Sequence, residues 1–111
     1  MRHITWIEVQ TEAERIANHW RGRVDTVYGI PQGGAPLAVM VAYLLGISLA
    51  QEPVIGMNTL VVDDLVDSGK TLKKYFGTYK VDAAFRKSHS PTHYAPNATC
   101  IDDWLSFPWE K

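Results

Sequence analysis

Apolar side chains recur every three or four positions near the start of the chain. Trp6, Val9, Ala13, Ile16, Ala17 and Trp20 fall on one face of a helix over residues 5–19, so all six are expected in the core. Thr5 followed by Glu8 has the form of a capping box, and Gly22 stands where the helix should stop. Residues 25–30 (DTVYGI) read as a short strand and residues 31–36 (PQGGAP) as a loop. Pro36 suits the first position of a second helix, which Gly46 ends. Residues 37–45 are apolar nearly all round, which predicts a helix buried on every side. Residues 59–64 (TLVVDD) form an unbroken apolar run into two acids, as in a strand covered on both faces. A loop over 65–69, a helix over 70–76 and a strand over 80–87 (KVDAAFRK) follow. Residues 88–97, rich in Ser, Pro, His and Asn, read as a loop, and the tail from Thr99 as a short strand followed by Trp104, Phe107, Pro108 and Trp109.

Strands alternate with helices at crossover lengths, which predicts an α/β fold: one domain over residues 1–111, with a mostly parallel sheet flanked by helices. Ligands of such sheets bind beyond the carboxyl ends of the strands, and both glycine-bearing loops here follow strands. Composition adds exclusions. A formal net charge of −1 offers no basic field for nucleic acid. The longest apolar stretch, residues 35–47, is too short for a membrane span. The first twenty residues lack a signal-peptide core, and Cys100 is the only cysteine. A cytoplasmic protein without an intrachain disulfide is expected. Cys100 is expected as inert packing. His89 and His93, with Pro91 between them, are not expected to hold a metal.

The chemistry concentrates in residues 59–72, TLVVDDLVDSGKTL. A buried strand delivers Asp63 and Asp64, and Ser68-Gly69-Lys70-Thr71 then opens a helix. Backbone N–H groups at such a helix start, with a glycine for close approach, form an anion site to which Ser68 and Thr71 add hydroxyls. Acids beside an anion cradle fit a ligand that also carries sugar hydroxyls or a divalent metal. A Walker A loop is excluded, because the required glycine five positions before Gly69 is Asp64. No G-x-G-x-x-G is present either. The pattern is that of the type I phosphoribosyltransferase motif for 5-phosphoribosyl-1-pyrophosphate (PRPP): four apolar positions, the first filled by Thr59, then two acids, two apolar residues and D-[ST]-G-x-T.

More of the chain carries the likeness. The helix opening at Thr5-Trp6, the loop Ile30-Pro31-Gln32-Gly33-Gly34, the PRPP motif and the ending Asp103-Trp104-Leu105-Ser106-Phe107-Pro108-Trp109 come in the order found in bacterial xanthine-guanine phosphoribosyltransferases, which this sequence resembles. The resemblance implies a reduced type I phosphoribosyltransferase fold and transfer of phosphoribose from Mg-PRPP to a 6-oxopurine. By the same resemblance Asp63 and Asp64 would bind the ribose hydroxyls, with Asp64 also near Mg²⁺. Asp67 would exchange a proton with purine N7. Ser68, Gly69, Lys70 and Thr71 would hold the 5′-phosphate, and Gln32, Gly33 and Gly34 the pyrophosphate, in a loop where the family often has a strained peptide. Lys87 would donate to purine O6, Trp104 would stack on the ring and the Leu105 backbone would run along its edge. The implied partners are PRPP and a purine base or nucleoside monophosphate, in a homo-oligomer, with no nucleic acid.

Two departures stand out. Gln32 takes the place of a basic residue, and only 16 residues separate Gly46 from Asp63, where the family has a long hairpin that closes over the site. The shorter stretch has room for a short strand and a turn near Glu52-Pro53. Lidless geometry leaves a second reading open, a non-catalytic PRPP- or nucleotide-binding regulatory module, although such a module has no need of Lys87 and Trp104 as base readers. A general phosphate-binding domain of flavodoxin-like type leaves the Asp63-Asp64 pair unexplained.

Overall fold

The computed structural model describes residues 1–110. In chain order the elements are β1 (Arg2–His3), α1 (Trp6–Trp20), β2 (Thr26–Gly29), α2 (Gly34–Leu45), β3 (Ser48–Leu49), β4 (Thr59–Val66), α3 (Lys70–Lys73), β5 (Lys80–Arg86), β6 (Thr99–Cys100) and β7 (Leu105–Ser106). Five strands form one sheet in the order β3-β2-β4-β5-β6, and each pairing is parallel. The chain leaves β2 for β3 on one side and returns to β4 on the other. The strand order therefore reverses at β2, and the crevice beside β4 is the topological switch point of the sheet.

Helix α1 starts as its sequence dictates. Thr5 Oγ1 accepts the Glu8 N–H at 3.1 Å, and the Glu8 carboxylate accepts the Thr5 N–H at 3.1 Å. Val9, Ala13, Ile16 and Ala17 are buried. Trp6 departs from the expected stripe: it is 49% exposed and leans on Trp109, because the first helical position lies beyond the edge of the sheet core. Trp20 is half-buried, with its indole N–H donating to Asp82 at 2.8 Å.

Helix α2 begins two residues before Pro36, which costs little because the missing N–H falls in the first turn, where no helical partner exists. It ends at Gly46, whose left-handed φ of 67° lets its N–H and that of Ile47 return to the carbonyls of the last turn. Burial on every side is not observed. Leu37, Ala38 and Val41 face the sheet, whereas Val39 and Tyr43 are 54% and 85% exposed. The helix covers β2, β4 and α1 with one face, and its outer face is apolar without cover.

β4 is the central strand. Leu60, Val61 and Val62 are fully buried, each stabilising the fold by about 1.5–3 kcal/mol through burial. Leu60 and Val62 join the core beneath α1 and α2, and Val61 the second core with Leu72, Tyr94 and Ala95. The strand runs on through Leu65 and Val66, paired with Phe85 and Arg86, so the expected loop begins at Asp67 and the two acids lie inside the strand. α3 is a single turn that stops short of the expected Phe76. Cys100 is exposed, not packed, because β6 is the edge strand.

Two ties were not foreseen. β1 pairs in parallel with β7, with the Arg2 N–H on the Trp104 carbonyl and the Ile4 N–H on the Ser106 carbonyl, both at 2.8 Å. Beneath α1, Arg15 spans Glu12 (3.0 Å), the Ala83 carbonyl (2.7 Å) and Asp82 (3.7 Å), while Glu12 accepts the Thr99 hydroxyl at 2.7 Å. Both carboxylates are buried, so removing the guanidinium strands two charges. We expect Arg15→Met to lower stability by about 2–4 kcal/mol in urea titration, somewhat below a fully buried pair because Arg15 is partly exposed. Arg2→Met, which breaks the exposed pair with Glu8, should change it by less than about 1 kcal/mol.

Candidate functional site

The site is built around a close approach of two backbones. β2 stops at Gly29, opposite Val62, so the β2 side of β4 is open from Asp63 onward. The loop after β2 fills that opening. Ile30 N–H donates to the Val62 carbonyl at 3.0 Å, and Gly34 N–H to the Ile30 carbonyl at 2.8 Å. Glycine is required here for space. A β-carbon on Gly34 would sit 2.5 Å from the Val62 carbonyl oxygen, and one on Gly33 would sit 2.0 Å from Asp64 Oδ2. The amino end of the twelve-residue α2 is thereby pressed against the two acids, and its dipole adds positive potential over the opening. Gln32 is exposed at the loop tip, and the Pro31–Gln32 peptide is cis.

Asp63 and Asp64 are partly buried neighbours. Burial, together with the hydrogen bond to and charge of Asp64, pushes the Asp63 carboxyl up to about 8. Burial also raises Asp64. Two adjacent carboxyls held from water resist ionising together, so the pair is set to receive hydroxyl donors or a cation. Among the described residues no group of three or more His, Cys, Asp or Glu side chains is arranged to hold a metal. The two aspartates therefore fit Mg²⁺ only as an ion that shares its coordination with ligand oxygens, which is the usual habit of Mg²⁺ at phosphate sites.

Asp67, Ser68, Lys70 and Thr71 are exposed around a hollow of about 90 Å³ that Asp63 also lines. Gly69 has a left-handed φ of 88°, and a β-carbon there would meet the Tyr94 ring at 2.6 Å. The loop of residues 88–97 thus packs on the cradle through Tyr94, a contact sequence reasoning missed. A larger hollow of about 340 Å³ near the start of β5, around Trp20, Phe76 and Asp82, contains none of the expected site residues.

Lys87 stands one residue beyond β5, and its N–H donates to the Val66 carbonyl at 2.9 Å. Its ammonium donates to the Asp103 carbonyl, which brings the tail to the same edge. Asp102 accepts the Ser88 N–H at 2.8 Å. Trp104 is 74% exposed, while Leu105 is buried and held by the β1–β7 pairing. The expected residues therefore gather along one edge, from Gln32 through Asp63, Asp64 and the 67–71 loop to Lys87 and Trp104. One neighbour was missed: His89 Nε2 lies 2.5 Å from Asp67 Oδ1. Its place two residues after Lys87 was the available signal.

No protein-family model and no curated protein sequence matches the chain. Solved structures do. A purine phosphoribosyltransferase from Pyrococcus horikoshii Ot3 superposes with a TM-score of 0.82 at 22% identity, over 99% of this chain and 93% of that one. A Helicobacter pylori xanthine-guanine-hypoxanthine phosphoribosyltransferase gives 0.76 at 16%, over 97% and 90%. A hypothetical protein from Neisseria gonorrhoeae with bound ppGpp gives 0.69 at 21%, over 99% and 90%. Coverage this complete on both sides means that the compact form of this chain is shared by those structures.

The raised Asp63 yields a stability prediction. Its folded value lies above the unfolded one, so the native state holds the extra proton, and stability present at pH 4 is lost as pH rises towards 8. Asp63→Asn, which cannot ionise, should flatten the fall in Tm between those values; an unchanged slope would show that Asp63 ionises as in a free chain.

The architecture, the strand order around the switch point and the two loops at the carboxyl edge are together those of the type I phosphoribosyltransferase fold.

Proposed function

We propose that this chain transfers phosphoribose from Mg-PRPP to a 6-oxopurine (guanine, xanthine or hypoxanthine) and releases pyrophosphate. One juxtaposition supports the reading: the PRPP motif shares its sheet edge with Lys87 and an exposed Trp104, so the groups this reading assigns to the anion and to the base lie along the same edge. The purine phosphoribosyltransferase structures of the same fold agree with it.

In this reading the Asp67–Thr71 loop and the hydroxyls of Ser68 and Thr71 hold the 5′-phosphate. Gln32 and Gly33 offer the pyrophosphate backbone N–H groups at the α2 start, Gly34, whose N–H is held by Ile30, gives the loop its close approach, and neutral Gln32 supplies a hydrogen bond in place of a charge. Asp63 and Asp64 accept from the ribose hydroxyls. When bound with PRPP, Mg²⁺ at Asp64 offsets diphosphate charge and the mutual repulsion of the acids. As the C1′–O bond breaks, its electron pair leaves with pyrophosphate, and the carboxylates beside the sugar stabilise the positive charge that develops. Purine N9 then bonds C1′ while Asp67 takes the N7 proton. Lys87 leaves the Asp103 carbonyl or shares its protons with purine O6, Trp104 covers the ring, and the Leu105 backbone follows its edge. A homo-oligomer and a cytoplasmic location go with this reading.

A second reading, a non-catalytic PRPP- or nucleotide-binding regulatory module, is favoured by one observation, the likeness to the neisserial protein with bound ppGpp.

Incubation with Mg-PRPP and each base separates the two. Guanine, xanthine or hypoxanthine should yield its monophosphate, and adenine should not, because its 6-amino group offers hydrogens to the Lys87 donor. Binding without any nucleotide formed would favour the module. By calorimetry GMP should bind at least about tenfold tighter than AMP; Lys87→Ala should narrow that gap and Trp104→Ala should weaken both. PRPP binding should fall in excess chelator. Thr71→Ala is the preferred cradle variant, since any side chain at Gly69 would also displace Tyr94.

A further inference from the structure

Asp67 has a problem that the PRPP motif does not solve. Its side chain is 65% exposed at the first residue after β4, so nothing in the motif fixes which way its carboxylate points. A group that must take a proton from one atom of a bound base has to be held within hydrogen-bond reach of it. The holding group comes from another part of the chain. His89 Nε2 lies 2.5 Å from Asp67 Oδ1, 22 residues away in sequence. A carboxylate only accepts, so in this pair the imidazole donates through the tautomer that carries hydrogen on Nε2. Oδ2 has no hydrogen-bond partner among the described residues.

His89 is itself well positioned. Ser90 N–H and Ser90 Oγ both donate to the Lys87 carbonyl, at 3.0 and 2.6 Å, which closes a tight turn around His89. On the other side the Ser88 N–H is held by Asp102, whose carboxyl that hydrogen bond keeps below the usual range. The charged groups around the imidazole are thus Asp67 from the β4 loop, Lys87 from its own turn and Asp102 from the tail. The turn carries two side chains to the opening, Lys87 beside the tail and His89 beside Asp67, and so fixes the distance between the O6 donor and the N7 base.

We infer that His89 is a positioning residue for Asp67: it binds Oδ1 through Nε2–H and leaves Oδ2 aimed at the purine N7 proton. The inference rests on the phosphoribosyl-transfer reading for the role of Asp67. In the balanced step, the N7–H bond breaks and the proton passes to Asp67 Oδ2. The electron pair left in the ring supports N9 bonding to C1′, and pyrophosphate departs with the C1′–O pair. His89 gains and loses no proton.

The test uses His89→Ala, which removes the donor, and His89→Gln, whose amide can reach Oδ1 but cannot titrate. Both variants change one exposed side chain, and unchanged Tm values confirm intact folds. We expect His89→Ala to lower kcat about 10- to 100-fold, the range set by misplacing a reacting group, with KM for PRPP within about twofold. His89→Gln should recover kcat to within about fivefold of wild type. A second readout needs no turnover. 9-Deazaguanine keeps an N7–H but carries carbon at position 9, so with Mg-PRPP it should bind about tenfold more weakly to His89→Ala and nearly normally to His89→Gln. Equal loss in both variants, or no loss in His89→Ala, overturns the assignment. If the wild type forms no nucleotide, the transfer reading fails, and the 9-deazaguanine pattern alone upholds or overturns the role of His89. A wild type that neither forms nucleotide nor binds 9-deazaguanine overturns both.

Discussion

The structure depends on how closely the loop after β2 approaches β4. Strands in a sheet stand nearly 5 Å apart with side chains projecting up and down, and two backbones come nearer only where β-carbons are missing. Gly29 and Gly34 provide that absence, and Gly33 leaves room for the Asp64 carboxylate. Because they do, α2 starts directly over the β4 backbone, and β2 can end early enough to leave Asp63 and Asp64 without a neighbouring strand on that side. The position of α2 settles the packing of α1 upon it, and hence the larger of the two cores. A methyl group at Gly33 would displace the Asp64 carboxylate, whereas one at Gly34 would meet the Val62 carbonyl and force the helix off the strand. The same substitution would therefore damage the fold and the opening together.

That approach creates an electrostatic tension, and burial pushes both carboxyls up from their usual range. Two carboxyls held side by side, partly out of water, are uncomfortable as a pair of anions. The fold tolerates them because β4 is anchored elsewhere by fully buried Leu60, Val61 and Val62. A ligand bringing hydroxyl donors and a divalent cation, as the proposed function requires, would offset that repulsion. Asp82 makes a useful contrast. It is equally an aspartate on a central strand, but it has Arg15 and Trp20 as fixed partners, and its role is to fasten α1 to β5.

Much of this was legible in the chain. The capping box at Thr5 and Glu8, the stop at Gly46 and the apolar run into Asp63 are local signals with local causes, and each formed as read. The misreadings share a different origin. Apolar composition suggested burial for Trp6, the outer face of α2 and Cys100, yet burial depends on what lies opposite, and each of these faces outward. The end of β4 was misplaced because Asp63 and Asp64 resemble a strand terminus, while pairing with β5 continues to Val66. His89 was passed over because periodicity and motif spacing describe neighbours along the chain, and its partner Asp67 is reached only through the parallel pairing of β4 and β5. Tyr94 against Gly69 was hidden for the same reason.

The pairing of β1 with β7 has a bearing on how the fold closes. β2, β4 and β5 with both glycine loops all lie between residues 26 and 87, whereas β7 meets β1 across the span from Arg2 to Leu105. The entropy of closing a loop grows with its length, so this short parallel pair is the costliest of the strand contacts to form. It brings little area of its own in return, and Leu105 and Phe107, which join the larger core, supply the burial that keeps it closed.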